Sequence, residues 1–539
     1  MLLNVFWLFF WWLCSVEAGK VLIMCSSVFP VHRYTMRYLA AELIQRKHEV
    51  TWFEYGLNEP EVTLPSGIKE IFHKVSLPNR KVYDLYLYRN HTTYKSIWFD
   101  DFNYDVEQTS AWLFSIDLCK QVLETKKAEF DALVAEHFDA VIVDDLYNPC
   151  GLLYVGLQKS LFIYWSLTAL RTESAWANQS PSPPSYLPVP GTGLTDELNF
   201  WERSYNMASY IKALYIHQHL ILRRIDSLFK KYYPDQVPDS FYIERNASLN
   251  FINTPPIFDF ARPYMPRVNF VGGLHCRKPK PLNGELAAFV DAADDEHGII
   301  LFTTGFTAQW SLAPETVVNA FLSAFAEKSL IRFIWQYNGK IPKNIPPNVY
   351  MRNWLPQQDL LGHPKMKAHI SHGGLNSVIE SIWHGVPIIG FPLTARGYDN
   401  LLRVEARSAG FILPTKNVTK ELIVAAINSI YHLKYKEEVL VFSDMLTDVP
   451  YSELNHSVFW VEFVQRHQEV PHARSGADHL NVLQYFLVDV IIFLLCMSIL
   501  ILIVAFYSLK MFIRLVLCLF SCVFVSLHHH SSSEKQKTE

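Results

Sequence analysis

Short apolar runs alternate with amphipathic segments near the N-terminus of the chain. Residues 20–25 predict a strand, and residues 26–31 predict a loop that leads to His32. Residues 35–47 place apolar side chains at helical spacing, and residues 48–53 predict the next strand. This β-loop-α-β order predicts a parallel sheet with crossover helices.

The same alternation recurs further along the chain. A buried strand at 138–143 ends in Asp144-Asp145, and a Pro-rich and Ser-rich loop at 180–193 precedes a helical segment of mixed polarity at 198–233. The Gly-rich and Pro-rich stretch 271–284 is the best candidate for a linker. After it we predict strands at 298–302, 331–337, 349–353, 368–371 and 386–391, and helices at 315–326, 375–384, 398–408 and 419–432. The pattern therefore predicts two doubly wound domains with a ligand cleft at the carboxyl ends of their strands.

Both ends of the chain are strongly apolar. Residues 1–18 predict a secretory signal peptide, with an uncleaved anchor as the alternative. Residues 487–509 predict a transmembrane helix, and 510–539 contain a second apolar segment and a polar tail. The second segment extends the span, lies at the interface or turns back. The basic residues near this end, Lys510, Arg514, Lys535 and Lys537, favour a cytosolic C-terminus and thus a single-pass type I protein.

Length, charge and cysteines restrict the function classes. A chain of 539 residues is too long for one ordinary core, and a net charge of −4 supplies no basic field for nucleic acid. Outside the apolar ends, Cys25, Cys119, Cys150 and Cys276 are too scattered for a disulfide scaffold or a metal cluster, although one or two bridges stay open. Five sequons agree with a lumenal location: Asn90, Asn178, Asn246, Asn417 and Asn455.

A candidate anion site follows the strand at 368–371. Glycines in His372-Gly373-Gly374 let the backbone approach a ligand, and the N-terminus of the next helix offers free N–H groups. Asn376 and Ser377 stand where helix caps belong. Ser377 with Glu380 also fits a capping box, which is a purely structural explanation. Trp354 and Gln357 open a neighbouring loop, where a base would stack on the indole ring.

These motifs have a known counterpart. The chain contains Trp354-Leu-Pro-Gln357, His372-Gly-Gly-x-Asn376-Ser377, His384-Gly-Val-Pro387 and Asp399-Asn400 in this order. The set resembles the signature of the UDP-glycosyltransferases, including the membrane-bound UDP-glucuronosyltransferases. The resemblance implies an α/β fold with two Rossmann-like doubly wound domains, GT-B-like, and a C-terminal transmembrane helix. It assigns 19–275 to the acceptor substrate, 285–450 to the UDP-sugar and 451–486 to a C-terminal helix and connector.

The resemblance also implies roles for the motif residues. Trp354 would stack on uracil, Gln357 would bind the uridine, and Glu380 would accept hydrogen bonds from the ribose hydroxyls. The diphosphate would be held by the helix N-terminus and by four residues: His372, Gly374, Asn376 and Ser377. The UDP-sugar is then a co-substrate and no cofactor is implied. Residence in the endoplasmic reticulum, with lumenal catalytic domains, is implied as well.

Sugar transfer to a hydroxyl needs a base, and a histidine backed by a carboxylate suits this task. The family pattern places the base on His32. Strand register favours Asp144 as its partner, whereas counting back from Cys150 favours Asp145; we prefer Asp144. The implied reaction is an inverting displacement. The chain contains no Asp-x-Asp pair, so no metal is predicted, and the helix N-terminus with His372 would meet the leaving charge.

The chain departs from the family at the donor sugar. The family's Asp-Gln pair, which hydrogen-bonds the sugar hydroxyls, is replaced by Arg396-Gly397, and a Ser-x-Gly-Ser turn near the phosphates by Thr303-Thr-Gly-Phe306. One hypothesis is an active transferase, in which Arg396 pairs with a carboxylate such as that of glucuronic acid. The alternative is a catalytically impaired member that acts as a membrane-anchored partner or regulator. The expected acceptor is a small lipophilic hydroxyl compound, and a homo- or hetero-oligomer with family members stays open.

Overall fold

The computed structural model describes residues 18–78, 97–98 and 101–535. The chain divides into two compact units between Ala473 and Arg474. The first unit contains two parallel sheets covered by helices, and the second contains the C-terminal helices. The predicted signal peptide, except for Ala18, and the sequon at Asn90 lie outside the described residues.

The first sheet has seven strands in the order β3-β2-β1-β4-β5-β6-β7, and all neighbouring pairs are parallel. β1 and β4 are almost entirely buried, as expected for parallel strands covered on both faces. The strand order reverses between β1 and β4, which creates a crevice at their carboxyl ends. The strands are β1 Lys20–Met24, β2 Glu49–Gly56, β3 Lys69–Lys74, β4 Ala140–Asp144, β5 Phe162–Ser166, β6 Leu249–Ile252 and β7 Val268–Phe270.

The helices around this sheet correct two sequence-based boundaries. The first helix begins at Pro30, so His32 lies in its first turn and the predicted loop at 26–31 is too long. Proline is favoured at the first helical position, because its missing N–H is not needed there. The predicted helical segment 198–233 is interrupted by the π-helical turn Ile216–Leu222. The helices are α1 Pro30–Gln45, α2 Tyr104–Thr125, α3 Lys127–Ala135, α4 Pro149–Gln158, α5 Thr172–Asn178, α6 Phe200–Tyr215, α7 Arg223–Tyr232 and α8 Ser240–Arg245.

The second sheet has six parallel strands in the order β10-β9-β8-β11-β12-β13, with its switch point between β8 and β11. Its strands are β8 Ile299–Thr303, β9 Arg332–Gln336, β10 Val349–Arg352, β11 Met366–Ser371, β12 Ile388–Gly390 and β13 Gly410–Ile412. Its helices are α9 Gly284–Asp291, α10 Glu315–Glu327, α11 Gln357–Leu361, α12 Leu375–Trp383, α13 Ala395–Glu405, α14 Lys420–Ile430 and α15 Leu433–Thr447. The structure confirms the predicted pair of doubly wound α/β domains.

Helix α13 begins three residues before its predicted start at 398. Thr394 caps it by accepting a hydrogen bond from the backbone N–H of Gly397 at 3.1 Å. Arg396 and Gly397 are therefore helical residues of the first turn and not part of a loop. This placement decides which groups of α13 face the cleft.

The chain crosses back to the first sheet after α15. Helix α16, Glu453–His467, packs Val458, Val461 and Val464 into the apolar core beneath α1. The side chain of Glu462 lies 3.6 Å from Arg46 Nη1. This helix thus joins the end of the first unit to its N-terminal sheet.

The second unit contains α17, Val482–Tyr485, and the long helix α18, Val488–Lys535. Within the 39 residues Val488–Ser526 the most apolar 18-residue window has a mean hydropathy of 3.1 and none of it is buried, and the length and composition of the stretch are sufficient to cross a membrane. At 1.5 Å per residue the stretch is about 58 Å long, well beyond a hydrocarbon core of about 30 Å. The second apolar segment continues the helix and does not turn back.

One disulfide bond joins Cys119 of α2 to Cys150 of α4. Cys25 is a buried free thiol, and Cys276 is also free. Among the described sequons, Asn246, Asn417 and Asn455 are exposed, but Asn178 is only 2% exposed. The Asn178 amide lies inside the folded protein, so this sequon lends no support to a lumenal location.

Candidate active site

A cavity of about 370 Å³ lies in the cleft between the two sheets. Every predicted site residue except Asp144 lines this cavity. These ten residues are His32, Trp354, Gln357, His372, Gly374, Asn376, Ser377, Glu380, Arg396 and Gly397. His32 comes from helix α1 of the N-terminal domain, and the others come from loops and helices of the second domain. The fold thus brings together residues that are far apart in sequence, at the carboxyl ends of strands where the topology predicts a ligand.

His32 and Asp144 form a buried hydrogen-bonded pair. His32 Nδ1 lies 2.6 Å from Asp144 Oδ2, and both side chains are almost completely buried. The backbone N–H groups of Ser26 and Leu146 also donate to the Asp144 carboxylate, at 3.3 and 3.2 Å. The carboxylate is therefore fixed behind the imidazole ring. His32 Nε2 is the ring nitrogen that is not bonded to Asp144.

Asp145 has a different partner. The Arg171 guanidinium donates to both Asp145 oxygens, Nη1 to Oδ1 at 3.3 Å and Nη2 to Oδ2 at 3.1 Å. Burial raises the pKa of Asp145, and the charge of Arg171 offsets part of this shift. Successive side chains at the end of a strand point to opposite sides, so only one of the two aspartates reaches His32.

The indole of Trp354 is half-exposed at one end of the cavity. Its ring centroid lies 4.9 Å from that of Phe306 and 6.3 Å from that of Tyr34. Phe306 therefore packs on the indole, although its motif predicted a position at the phosphates. Thr307 presents a hydroxyl beside His372 instead, because its Oγ1 lies 3.1 Å from His372 Nε2.

Gln357, Ser377 and Glu380 form one polar network beside Trp354. Gln357 Nε2 donates to Ser377 Oγ at 3.0 Å and to Glu380 Oε2 at 2.6 Å. Burial raises the pKa of Glu380 to about 7, and the Gln357 hydrogen bond and the Arg277 charge limit the rise. Ser377 is the third residue of α12, whose N-cap is Gly374, so the proposed capping box of Ser377 with Glu380 is absent. The side chains of Ser377 and Glu380 are therefore available to bond Gln357 in this network.

The loop His372-Gly373-Gly374 leads from β11 into α12. Gly373 has φ +88°, and a Cβ there would overlap the carbonyl group of Gly397, so only glycine fits. Gly374 caps α12 without a side-chain hydrogen bond, and the first-turn N–H groups of a helix have no intrahelical partner. Burial lowers the pKa of His372 to about 4, so its ring is neutral near pH 7. The loop presents neutral donors to an anion.

Asn376 connects the two domains. Its Nδ2 donates to Thr35 Oγ1 at 2.6 Å, and its Oδ1 accepts from Asn253 Nδ2 at 2.9 Å. The side chain of Asn376 is thus engaged by the N-terminal domain. Its backbone N–H, in the first turn of α12, remains the group directed by the helix toward an anion.

Arg396 and Gly397 lie at the other end of the cavity. Arg396 Nη2 donates to Gln108 Oε1 and, at 2.9 Å, to the Tyr147 hydroxyl, so the guanidinium is held against the N-terminal domain. A Cβ at Gly397 would overlap the carbonyl oxygen of His372. The first turn of α13 therefore packs directly on the backbone of the loop before α12.

Glu107 is a cavity residue that the sequence did not indicate. It lies on α2, and its Oε1 accepts a hydrogen bond from the backbone N–H of Ala395 at 3.3 Å. Its neighbour Gln108 bonds Arg396, and Tyr147 follows β4. These residues belong to no motif, and only the packing of α2 against α13 brings them to the site.

The sequence matches the family described as UDP-glucoronosyl and UDP-glucosyl transferase over residues 19–521. It is 33% identical over 523 residues to UDP-glucuronosyltransferase 2B15 of Homo sapiens, with 93% of this chain and 94% of that protein covered. It is 35% identical over 399 residues to UDP-glucuronosyltransferase 2A1 of Mus musculus, with 73% and 74% covered.

Solved structures agree on the fold. The calicheamicin glycosyltransferase CalG4 superposes with a TM-score of 0.57 at 18% identity, with 84% of this chain and 100% of that chain covered. Phytolacca americana UGT2, complexed with UDP-2fluoro-glucose and pterostilbene, gives a TM-score of 0.54 at 16% identity, with 83% and 99% covered. The fold, the order of the motifs and the similarity over nearly the whole length agree, and the chain belongs to the family of UDP-glucoronosyl and UDP-glucosyl transferases, which are hexosyltransferases that use a UDP-sugar as donor.

Proposed function

We propose that the chain transfers a glucuronosyl or glucosyl group from a UDP-sugar to a hydroxyl group of a small lipophilic compound, with inversion and without a metal ion. The observation that carries this proposal is the buried His32–Asp144 pair at 2.6 Å, because His32 lines the same cavity as the nucleotide motif. A base and a nucleotide-diphosphate site that share one cleft are the two parts that direct sugar transfer needs.

In the proposed step His32 acts as the base. Its Nε2 takes the proton of the acceptor hydroxyl while the oxygen attacks the anomeric carbon, and the bond from that carbon to the diphosphate oxygen breaks. UDP leaves with the electron pair. Asp144 holds the ring through Nδ1 and stabilises the imidazolium, and such base catalysis contributes about 10²–10⁴-fold.

The nucleotide roles follow from the position of each group. We assign uracil stacking to Trp354, which is half-exposed, and uridine contacts to Gln357 and Glu380, which share one polar network. The diphosphate is assigned to the first turn of α12, with the neutral donor His372, the close-approach residue Gly374, the backbone of Asn376 and the hydroxyl of Ser377. The absence of an Asp-x-Asp pair from the sequence supports a reaction in which these donors meet the leaving charge.

The domain assignment and location belong to the same proposal. Residues 19–275 would bind the lipophilic acceptor and 285–450 the UDP-sugar, with 451–486 as connector and the span at 487–509. Phe29, Tyr34 and Phe306 line the cavity and support an apolar acceptor. The apolar helix Val488–Ser526 and the basic residues that follow the span at 487–509 support a type I protein of the endoplasmic reticulum with a lumenal site.

A catalytically impaired partner or regulator is the second candidate. The observation that favours it is at α13, where Gly397 has no side chain and Arg396 bonds the N-terminal domain. Helix α13 therefore offers no side-chain oxygen at positions 396 and 397 to the sugar hydroxyls.

The two candidates separate in one experiment on the full-length chain in detergent or nanodiscs. UDP binding is measured by calorimetry, and UDP release is measured with a panel of UDP-sugars and phenolic acceptors. Release with at least one donor supports the transferase. UDP binding without release from any donor contradicts it and favours the partner role.

A further inference from the structure

The first turn of α13 borders the place that a transferred group must occupy. Asn400 Nδ2 donates to the Gly373 carbonyl at 2.9 Å, which ties α13 to the loop His372-Gly373-Gly374, the proposed phosphate loop. On its other side Arg396 bonds the Tyr147 hydroxyl, and the Tyr147 ring centroid is 6.2 Å from that of His32. A group attached to a diphosphate on α12 and attacked near His32 therefore lies against this turn.

Helix α13 carries no side-chain hydrogen-bond acceptor at positions 396 and 397. Arg396 has only donors, and Gly397 has no side chain. A hexose presents several hydroxyl groups, and each one that enters a cavity and loses water needs an acceptor for its proton. Thr394 and Asn400 also line the cavity, but the Thr394 hydroxyl already accepts from the Gly397 N–H and the Asn400 side chain is tied to the Gly373 carbonyl. We therefore expect an acceptor on a neighbouring element.

Glu107 is placed to be that acceptor. It reaches the first turn of α13 from α2 and lines the cavity. Its Oε1 is bound by the Ala395 N–H, while its Oε2 is buried and has no hydrogen-bond partner within 18–78, 97–98 and 101–535. A buried carboxylate oxygen without a donor is costly, and a ligand hydroxyl would satisfy it.

Two neighbouring contacts hold Glu107 in this position. The Arg396 guanidinium binds Gln108, the next residue of α2, so α2 and α13 are fastened together at this point. The Ala395 N–H orients one carboxylate oxygen and leaves the other for a ligand. Arginine at position 396 therefore has two effects. It removes the family's acceptor from α13, and it binds α2, the helix that carries Glu107 as a replacement acceptor.

We propose that Glu107 is a donor-specificity residue, whose carboxylate accepts a hydrogen bond from one hydroxyl group of the donor sugar. This inference rests on the proposed transferase function. It makes the sugar a ligand of both domains, since the nucleotide is held by the second domain and one sugar hydroxyl by the first.

The test compares wild type, Glu107→Ala and Glu107→Gln as full-length chains. The donor is the best UDP-hexose of the panel, together with its monodeoxy derivatives at C2, C3, C4 and C6. Glu124→Gln is the matched control, because Glu124 is exposed on the same helix and does not line the cavity. Calorimetric UDP affinity and thermal unfolding report whether the nucleotide site and the fold are intact.

Loss of a hydrogen bond to a carboxylate should lower kcat/KM about 10- to 100-fold in Glu107→Ala, with UDP affinity unchanged and only a small fall in Tm from the lost Ala395 hydrogen bond. For one deoxy derivative, wild type and Glu107→Ala should then have equal kcat/KM, because the partner hydroxyl is already absent. Equal losses for every derivative would reveal a merely structural role and overturn the inference. Full activity of Glu107→Ala would overturn it too, with the transferase function intact. Absence of UDP release from wild type with any donor would instead overturn the proposed function.

Discussion

His32 Nδ1 lies 2.6 Å from Asp144 Oδ2, although 112 residues separate them in the sequence. The pair exists because β1 and β4 are adjacent parallel strands, with Met24 opposite Val143 in the register. His32 follows β1 after a short turn, and Asp144 is the last residue of β4. Parallel pairing therefore brings both residues to the same edge of the sheet.

Removal of the base should abolish transfer without loss of nucleotide binding. We expect His32→Ala and Asp144→Asn to lower kcat by about 10²–10⁴-fold, because the first removes the base and the second its orienting charge. UDP affinity, measured by calorimetry, should stay nearly unchanged, because neither residue is assigned to the nucleotide. Wild-type kcat in either variant would contradict the assigned roles.

Asp145→Asn is the matched control for Asp144→Asn. It removes the negative charge that pairs with the buried Arg171 guanidinium. Breaking a buried ion pair lowers the free energy of unfolding by about 3–5 kcal/mol. We expect a lower Tm as its main effect, with kcat per folded molecule retained. A catalytic loss at unchanged Tm would show that Asp145, and not Asp144, orients the base.

Removal of the Trp354 ring should weaken nucleotide binding. Stacking of a base on an aromatic side chain is worth about 1–3 kcal/mol, so Trp354→Ala should raise the Kd for UDP by about 5- to 150-fold. Trp201 is 77% exposed on α6 and does not line the cavity, so Trp201→Ala serves as control with unchanged affinity. Equal affinity of the two variants would exclude uracil stacking on Trp354.

Restoring the family's Asp-Gln pair should not raise activity. A side chain at 397 would overlap the His372 carbonyl, so Gly397→Gln should shift α13 and the phosphate loop apart. We expect Arg396→Asp with Gly397→Gln to lower both Tm and UDP affinity. Gly476→Gln is the control, since a Cβ at Gly476 meets no atom within 4 Å. A gain in UDP release by the double variant would contradict this packing.

UDP-sugar affinity should rise with pH around neutrality through Glu380. Its pKa is raised to about 7, so it becomes ionised between pH 6 and 8 and then accepts ribose hydroxyls more strongly. We expect affinity about fivefold higher at pH 8, equivalent to ~1 kcal/mol. The facing His275 has its pKa lowered to about 4 by burial and stays neutral over this range. Calorimetry with a UDP-sugar is suitable, because its esterified diphosphate does not titrate in this pH range.

Glu380→Gln is the control, and its affinity should change less over the same range; the remaining change is expected from Glu107, whose pKa burial also raises to about 7. The raised pKa also has a consequence for stability. Because the native chain binds this proton more tightly than the unfolded chain, the free energy of unfolding should fall as pH rises from about 4.5 to about 7. A pH dependence of affinity that is undiminished in Glu380→Gln would assign it to another group.

The sequence by itself determined the two doubly wound sheets and predicted the residues of the candidate nucleotide site. Buried parallel strands are continuous apolar runs, and the strand-loop-helix order around His372 is local, so neither needs knowledge of the rest of the chain. The apolar C-terminal helix could equally be predicted from the sequence, because length and composition alone define it. The sequence did not predict the start of α1 at Pro30, because proline is common both in loops and at the first position of a helix.

Only the tertiary structure decided which side chains meet across the cleft. The choice of Asp144 over Asp145 depends on the side from which β4 presents each carboxylate to its neighbours. Glu107 has no motif and enters the site only because α2 packs at the N-terminus of α13. The physical reason is common to both cases: the sequence pattern records burial and local hydrogen bonding, whereas contacts between distant elements arise from how those elements pack.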